Sequence, residues 1–181
     1  MALTYASEQK YLPLIKQASA KYNVPEVLIL AHMKQESGFN PYAYRAEPAI
    51  KDASYGLMQV LLNTAKTIDR SATTDKLYDP AYNIGIGTAY ISKNLSRYPN
   101  DLSSAIASYN AGSAYKDSSG RFVSKSGNPS VQDYVDRVLR NHKNYTEWLG
   151  SGANLFDIKT LILVSSIVVS GIVLYIYMER Q

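Results

Sequence analysis

The sequence predicts a mainly α-helical domain followed by one separate apolar helix near the C-terminal end. Three observations lead there. Apolar residues recur at helical spacing in segments punctuated by proline and glycine. No stretch shows sustained strand alternation, and no internal repeat is present. From Thr160 to Met178 the chain reads TLILVSSIVVSGIVLYIYM, with no charge at any position.

Each helix has its own start and stop signals. Pro13 opens the first, with Leu14, Ile15 and Ala18 at helical spacing and an end near Asn23. Pro25 starts the second, PEVLILAHMKQES, in which Leu28, Ala31 and Gln35 share one face and Glu36 closes the helix. Gly38 and the Asn40-Pro41 pair then turn the chain, and residues 42–55 read as irregular. A helix follows from about Asn63, with Asn63 or Thr64 as its cap. DPAYNIGIGTAYISKNLSRY predicts a long helix with Pro80 near its start. Its Gly85 and Gly87 lower helix propensity and point to close packing against a neighbour. DLSSAIASYNAG predicts a helix from Asp101 to about Ala111 with Gly112 as C-cap. Residues 113–129 are polar and glycine-bearing, a loop. Ser130 and Asp133 have capping-box spacing and open a helix through Trp148.

Composition limits the function classes. Hydrophobic residues make up 46% of 181, enough for a sizeable core. The absence of cysteine removes disulfides and thiolate chemistry. Two histidines, His32 and His142, are too few for a metal cage, so no metal or cofactor is expected. The net charge of +4 is scattered, without the basic run of a nucleic-acid arm. Sixteen tyrosines stand against three phenylalanines and one tryptophan. A tyrosine pairs a flat apolar face with a hydroxyl, which suits sugar rings, although half-buried packing accounts for most of them.

At 1.5 Å per residue the uncharged run is roughly 28 Å long, close to the hydrocarbon thickness of a bilayer. Lys159 precedes it, Glu179-Arg180 follow, and Tyr175 and Tyr177 sit where interfacial aromatics are common. The expected plan is a domain over residues 1–149, a linker over 150–159 and a transmembrane helix over 160–178. The N-terminal MALTYASEQKYLPLIKQ does not read as a signal peptide. Arg140, Lys143 and Lys159 against Arg180 would keep the domain cytoplasmic under the positive-inside bias.

Four short blocks carry chemistry: ESGFNP (36–41), SYGLMQV (54–60), NIGIGTAYISKNL (83–95) and AIASYNAG (105–112), with QDYVDRVL (132–139) a weaker fifth. In order and content they resemble the catalytic domain of soluble-type lytic transglycosylases, a peptidoglycan-cleaving family with a goose-lysozyme-like helical fold. The resemblance covers roughly residues 10–148. It implies that Glu36 is the single catalytic acid/base. Such a residue protonates the glycosidic oxygen between N-acetylmuramic acid (MurNAc) and N-acetylglucosamine (GlcNAc). It then takes the proton of the muramic 6-hydroxyl, leaving a 1,6-anhydro sugar. One group that donates and then accepts a proton needs a pKa near working pH. A helix C-terminus and an apolar run before Glu36 both push its pKa upward.

The resemblance also implies that Ser37, Ser54, Gly56, Met58, Gln59, Tyr109, Asn110 and Tyr134 contact substrate, Gly56 and Met58 through backbone. The leucine and methionine side chains of GLMQ suit the core equally, and Tyr134 suits packing equally. His32, four residues before Glu36 on the same face, reads as a neutral packing residue, because an imidazolium there would lower the acid's pKa.

Some positions depart from the family pattern. Residues 37–55 are longer than in the best-known members, and Arg45 falls near the place of a common serine, for which Ser54 is a substitute. The insertion carries Glu47 and Asp52. A second carboxylate near Glu36 would permit water activation and a hydrolytic muramidase, although an Arg45–Glu47 surface pair is the duller use of Glu47. A wall-binding module that does not cut is the reading from another class. The expected partners are peptidoglycan strands and a membrane, with no nucleic acid. The wall lies outside the cytoplasm, whereas the charge bias favours a cytoplasmic domain, so the expected location is a bacterial cell envelope or a bacteriophage virion membrane.

Overall fold

The computed structural model describes residues 6–150. The expected membrane segment, 160–178, lies outside them; among the described residues no helix is long and apolar enough to cross a membrane. The chain divides into two units after Lys143. In the second, the described residues finish a helix and set the Tyr145 ring edge-on to Trp148 with centroids 6.0 Å apart.

A short helix α1 (Ala6–Gln9) leads into α2 (Leu12–Tyr22). Pro13 sits in the first turn of α2, and Asn23 ends it in the left-handed region (φ 52°). Helix α3 (Glu26–Ser37) follows Pro25 as its N-cap. Six consecutive residues, Leu28 to Met33, are buried. The helix is therefore enclosed on all sides through its middle and has no single core face. This is wider than the face of Leu28, Ala31 and Gln35 that spacing suggests.

Residues 42–55 are not irregular. Strands β1 (Tyr44–Glu47) and β2 (Asp52–Tyr55) form an antiparallel hairpin around a 3-10 turn (Pro48–Ile50), and β3 (Val60–Leu61) pairs with β2 to give the order β1-β2-β3. The strands escape sequence reading because β1 is exposed along most of its length and so shows no apolar alternation. Helix α4 (Leu62–Ile68) follows directly. Its start is held by Asp52, whose Oδ2 accepts the Asn63 N–H at 3.0 Å, and not by the side chains of Asn63 or Thr64.

After α5 (Thr74–Leu77), α6 (Pro80–Arg97) runs through the domain and packs against α2, α4, α5 and α7 (Leu102–Ala111). Asp79 and Asp101 cap α6 and α7 through N–H groups of Tyr82 and Ser104. Gly112 closes α7 at φ 72°. Of the two glycines in α6, only Gly87 marks a close approach: a Cβ there would collide with the Met58 side chain, whereas Gly85 faces open space. The segment 113–129, expected as a loop, contains a small hairpin of β4 (Tyr115–Lys116) and β5 (Phe122–Val123). Helix α8 (Ser130–Trp148) buries Val131, Tyr134, Val135 and Val138 at helical spacing. The Ser130 N–H goes back to Asn128 Oδ1 at 2.9 Å, so Asn128 and not Asp133 holds this helix start.

Candidate active site

Glu36 is the penultimate residue of α3, and two consecutive left-handed residues take the chain away from it. Gly38 (φ 60°) returns its N–H to Lys34 O at 3.2 Å, and Phe39 follows at φ 69°. Phe39 is buried and stacks on Tyr11 at 6.4 Å, which offsets the strain of a bulky residue in that conformation. The exit is thus pinned on the core side, and the Glu36 side chain is left at the edge of a cleft.

One wall of that cleft is the segment 56–59, and most of its polar backbone groups are hydrogen-bonded. The Gly56 N–H donates to Ala43 O at 2.8 Å. The Ser37 hydroxyl donates to Leu57 O at 2.7 Å. The Met58 N–H donates to the buried Asn83 Oδ1 at 2.8 Å, and Met58 O accepts the Tyr109 hydroxyl at 2.9 Å. The Gln59 amide nitrogen donates to Ala43 O and Gly56 O, both at 3.1 Å. Gly56 is required here: φ is +71°, and a Cβ would stand 2.5 Å from Asn83 Nδ2 and from Leu77 O.

The cleft holds about 350 Å³ and is lined by Glu36, Arg45, Glu47, Ser54, Gln59, Tyr109 and Asn110, among others. Glu36 is half-buried, and its Oε1 accepts the Tyr134 hydroxyl at 2.5 Å. Burial raises its pKa from 4.5 to about 7; the Tyr134 hydrogen bond and Arg45 pull the other way, and Glu47 adds to the rise. The carboxyl is therefore poised to hold or release a proton near neutral pH. Burial and the charge of Glu36 push the hydroxyls of Tyr109 and Tyr134 well above their ordinary range, so both stay protonated and donate.

His32 supports this arrangement from behind. It is buried, its Nδ1 donates to Leu28 O at 2.9 Å, and its ring meets Tyr109 edge-on at 4.8 Å. Burial lowers its pKa to about 4, so it is neutral beside the acid, as the sequence suggests. Among the described residues no group of three His, Cys, Asp or Glu side chains could hold a metal ion.

The insertion brings one of its two carboxylates to the cleft. Glu47 lines it, paired to Arg45 with Nε 2.6 Å from Oε1. Asp52 does not line it; its oxygens are taken by the N–H groups of Ala53 and Asn63. Of the residues expected at substrate, Ser54, Gln59, Tyr109 and Asn110 line the cleft. Ser37, Gly56, Met58 and Tyr134 are not among the lining residues. Ser37 and Gly56 hold the wall, Met58 fills the core beside Gly87, and Tyr134 bonds the acid. Spacing gives a side chain's place in the chain but not which of two packed layers it enters. Tyr90 also lines the cleft, 5.3 Å from the Tyr109 ring. It lies within the third block, yet a tyrosine in a mostly buried helix gives no separate signal.

Residues 13–128 match the family described as the transglycosylase SLT domain. The chain belongs to that family. Over 117 residues it is 44% identical to the membrane-bound lytic murein transglycosylase C of Photorhabdus laumondii and 43% identical to that of Yersinia enterocolitica. Each match covers 57% of this chain and 31% of the relative. Among solved structures, an inactive mutant of the lytic transglycosylase Slt from Pseudomonas aeruginosa superposes with a TM-score of 0.63 at 25% identity, over 76% of this chain and 24% of that one. A 70 kDa soluble lytic transglycosylase in complex with bulgecin A gives 0.65 at 26%, over 80% and 25%. The chain thus spans about a third of the curated relatives it matches and a quarter of these solved chains.

In this transglycosylase domain the Tyr134 hydroxyl donates to the acid. Tyr134→Phe removes a bond that favours the carboxylate, so the Glu36 pKa rises. The alkaline limb of the pH–rate profile is expected to move up by about one unit, with a lower maximal rate because a weaker acid protonates the leaving oxygen less readily. An unchanged profile would show that the hydroxyl does not tune Glu36.

Proposed function

We propose that the chain cleaves the β-1,4 bond between MurNAc and GlcNAc in peptidoglycan strands, with formation of 1,6-anhydro-MurNAc. The observation that carries this reading is one half-buried carboxyl, Glu36, with a pKa of about 7, beside a cleft lined by tyrosines and amides. Protonated, it donates to the glycosidic oxygen as the bond breaks. The resulting carboxylate then accepts the proton of the muramic 6-hydroxyl as that oxygen closes onto C1. Protons balance within the substrate, and no water enters. Gln59 and Asn110 supply amides and Tyr90 and Tyr109 ring faces along the path of the strand. The names of the relatives, lytic murein transglycosylases, support the same substrate class.

Glu47 favours a second reading, since it shares the cleft and could activate water on the opposite face of the sugar. Its pairing with Arg45 argues against that role, because a carboxylate that takes a proton from water gives up that ion pair. Mass spectrometry of digested sacculi separates the two. Anhydro ends are expected; reducing ends alone would make the protein a hydrolytic muramidase, and intact sacculi would leave a wall-binding module.

Residues 160–178 act, in this proposal, as a membrane anchor that holds the domain at the cell envelope. The relatives termed membrane-bound support an envelope location. A virion membrane would accept the same span. Fractionation of envelopes and of particles, with and without residues 151–181, tests it: release of the truncated chain is expected, and unchanged membrane retention would exclude the anchor.

A further inference from the structure

The β1–β2 wall of the cleft carries a charge pattern that the proposed bond cleavage does not require. Arg45 and Ser54 are register partners across the hairpin, and Glu47 lies two residues beyond Arg45, on the same face of β1. The three meet at one oxygen. Arg45 Nε stands 2.6 Å from Glu47 Oε1, and the buried Ser54 hydroxyl donates to the same atom at 3.5 Å. Exposure rises outward along this chain, from buried Ser54 through a Glu47 side chain at 28% to an Arg45 side chain at 64%. Arg45 is the one cation among the residues that line the cleft.

A guanidinium has five N–H donors in a fixed plane, and one carboxylate engages at most two of them in a fork. The Arg45 donors on the edge away from Glu47 therefore remain for a ligand. The Glu47 contact also restricts a long, rotamer-rich side chain before anything binds, which lowers the ordering cost of recognition. The pair is close to neutral, so selectivity comes from directed hydrogen bonds and not from bulk attraction.

We propose that Arg45, oriented by Glu47 and Ser54, is a specificity-determining residue that reads a carboxylate on the glycan strand. The proposal rests on the peptidoglycan reading of the cleft. Muramic acid bears a lactyl carboxyl, free in a bare strand. In a substituted strand it is joined to a peptide that brings carboxylates of its own. Both sources present the same acceptor to the guanidinium.

Calorimetric binding to the whole chain carrying Glu36→Gln tests this. In that background no ligand is cut, and a charge change at position 45 has no carboxyl at position 36 to retune. The ligands are a GlcNAc–MurNAc tetrasaccharide with free lactyl carboxylates, its lactyl amide, a stem-peptide-bearing tetrasaccharide with free carboxylates, and its amide. Amidation is expected to weaken binding about tenfold within one of the two pairs, and the affected pair identifies the source. That difference should vanish on adding Arg45→Gln and shrink with Arg45→Lys, whose point charge lacks the fork. Thermal melts confirm that these exposed changes leave the fold intact. Binding without a carboxylate preference, or a preference that survives Arg45→Gln, overturns the assignment of Arg45 alone. Absence of binding to all four ligands overturns the glycan-cleft reading and the assignment with it.

Discussion

Glu36→Gln is expected to lower glycan cleavage by about a thousandfold while making the domain more stable at alkaline pH. The loss follows because an amide can neither transfer a proton to the leaving oxygen nor take one from the 6-hydroxyl. The gain follows from linkage. In the fold the carboxyl titrates near 7, against 4.5 as its ordinary value. Between those values the unfolded chain has released a proton that the native chain still holds, so stability falls as pH rises. The cost is complete above pH 7 and is on the order of 3 kcal/mol. Glutamine is neutral throughout and can still accept the Tyr134 hydroxyl. The two proteins should therefore melt together near pH 4.5. By pH 8 the variant should melt roughly 10 °C higher. The buried His32 loses stability in the opposite direction, as pH falls from 6.5 toward 4, but it is common to both chains and cancels in the difference. A difference that stays flat from pH 5 to pH 8 would sink the buried-acid argument, and retained cleavage would sink the catalytic one.

Asn83→Ala is expected to destabilise the domain by about 4 kcal/mol, the largest loss from any single hydrogen-bonding side chain described above. Asn83 is buried in α6, and its amide meets three backbone groups from two segments. Its Oδ1 accepts the Met58 N–H at 2.8 Å, and its Nδ2 donates to Tyr55 O at 2.9 Å and to Leu77 O at 2.8 Å. Truncation leaves one buried N–H and one buried carbonyl without these partners, each costing about 1–3 kcal/mol, and frees the part-buried Tyr55 carbonyl at a smaller cost. The same change loosens Met58, whose carbonyl positions Tyr109 beside the cleft. Urea unfolding of the variant measures the first effect. A loss below about 1 kcal/mol would mean that water replaces the amide and that the wall does not depend on it.

The helices of this domain were legible because their signals are local. Pro13, Pro25 and Pro80 open helices, Asp101 caps α7, and Gly112 ends it, each through backbone geometry that a few residues impose. Glu36 was legible for a similar reason. A polar residue followed by a glycine exit after a buried run marks a helix end beside a surface, and the accompanying blocks supplied the resemblance. The β1–β2 hairpin was not legible, since exposed Tyr44, Arg45 and Ala46 carry no strand periodicity. Nor was the start of α4, whose partner Asp52 lies eleven residues away from Asn63.

The sequence by itself determined the helical class and the family blocks, and it singled out Glu36 as the candidate acid. These follow from short-range rules: helical spacing, capping chemistry and residue type. Only the tertiary structure decided which residues reach the cleft. Ser37, Gly56 and Met58 lie close in sequence to cleft residues yet serve the wall and core, while Arg45 and Glu47 enter the cleft through strand register. The pKa of Glu36 was decided there as well. Burial beneath packed elements, opposed by a hydroxyl ninety-eight positions along the chain, sets it, and no local pattern encodes a contact of that range.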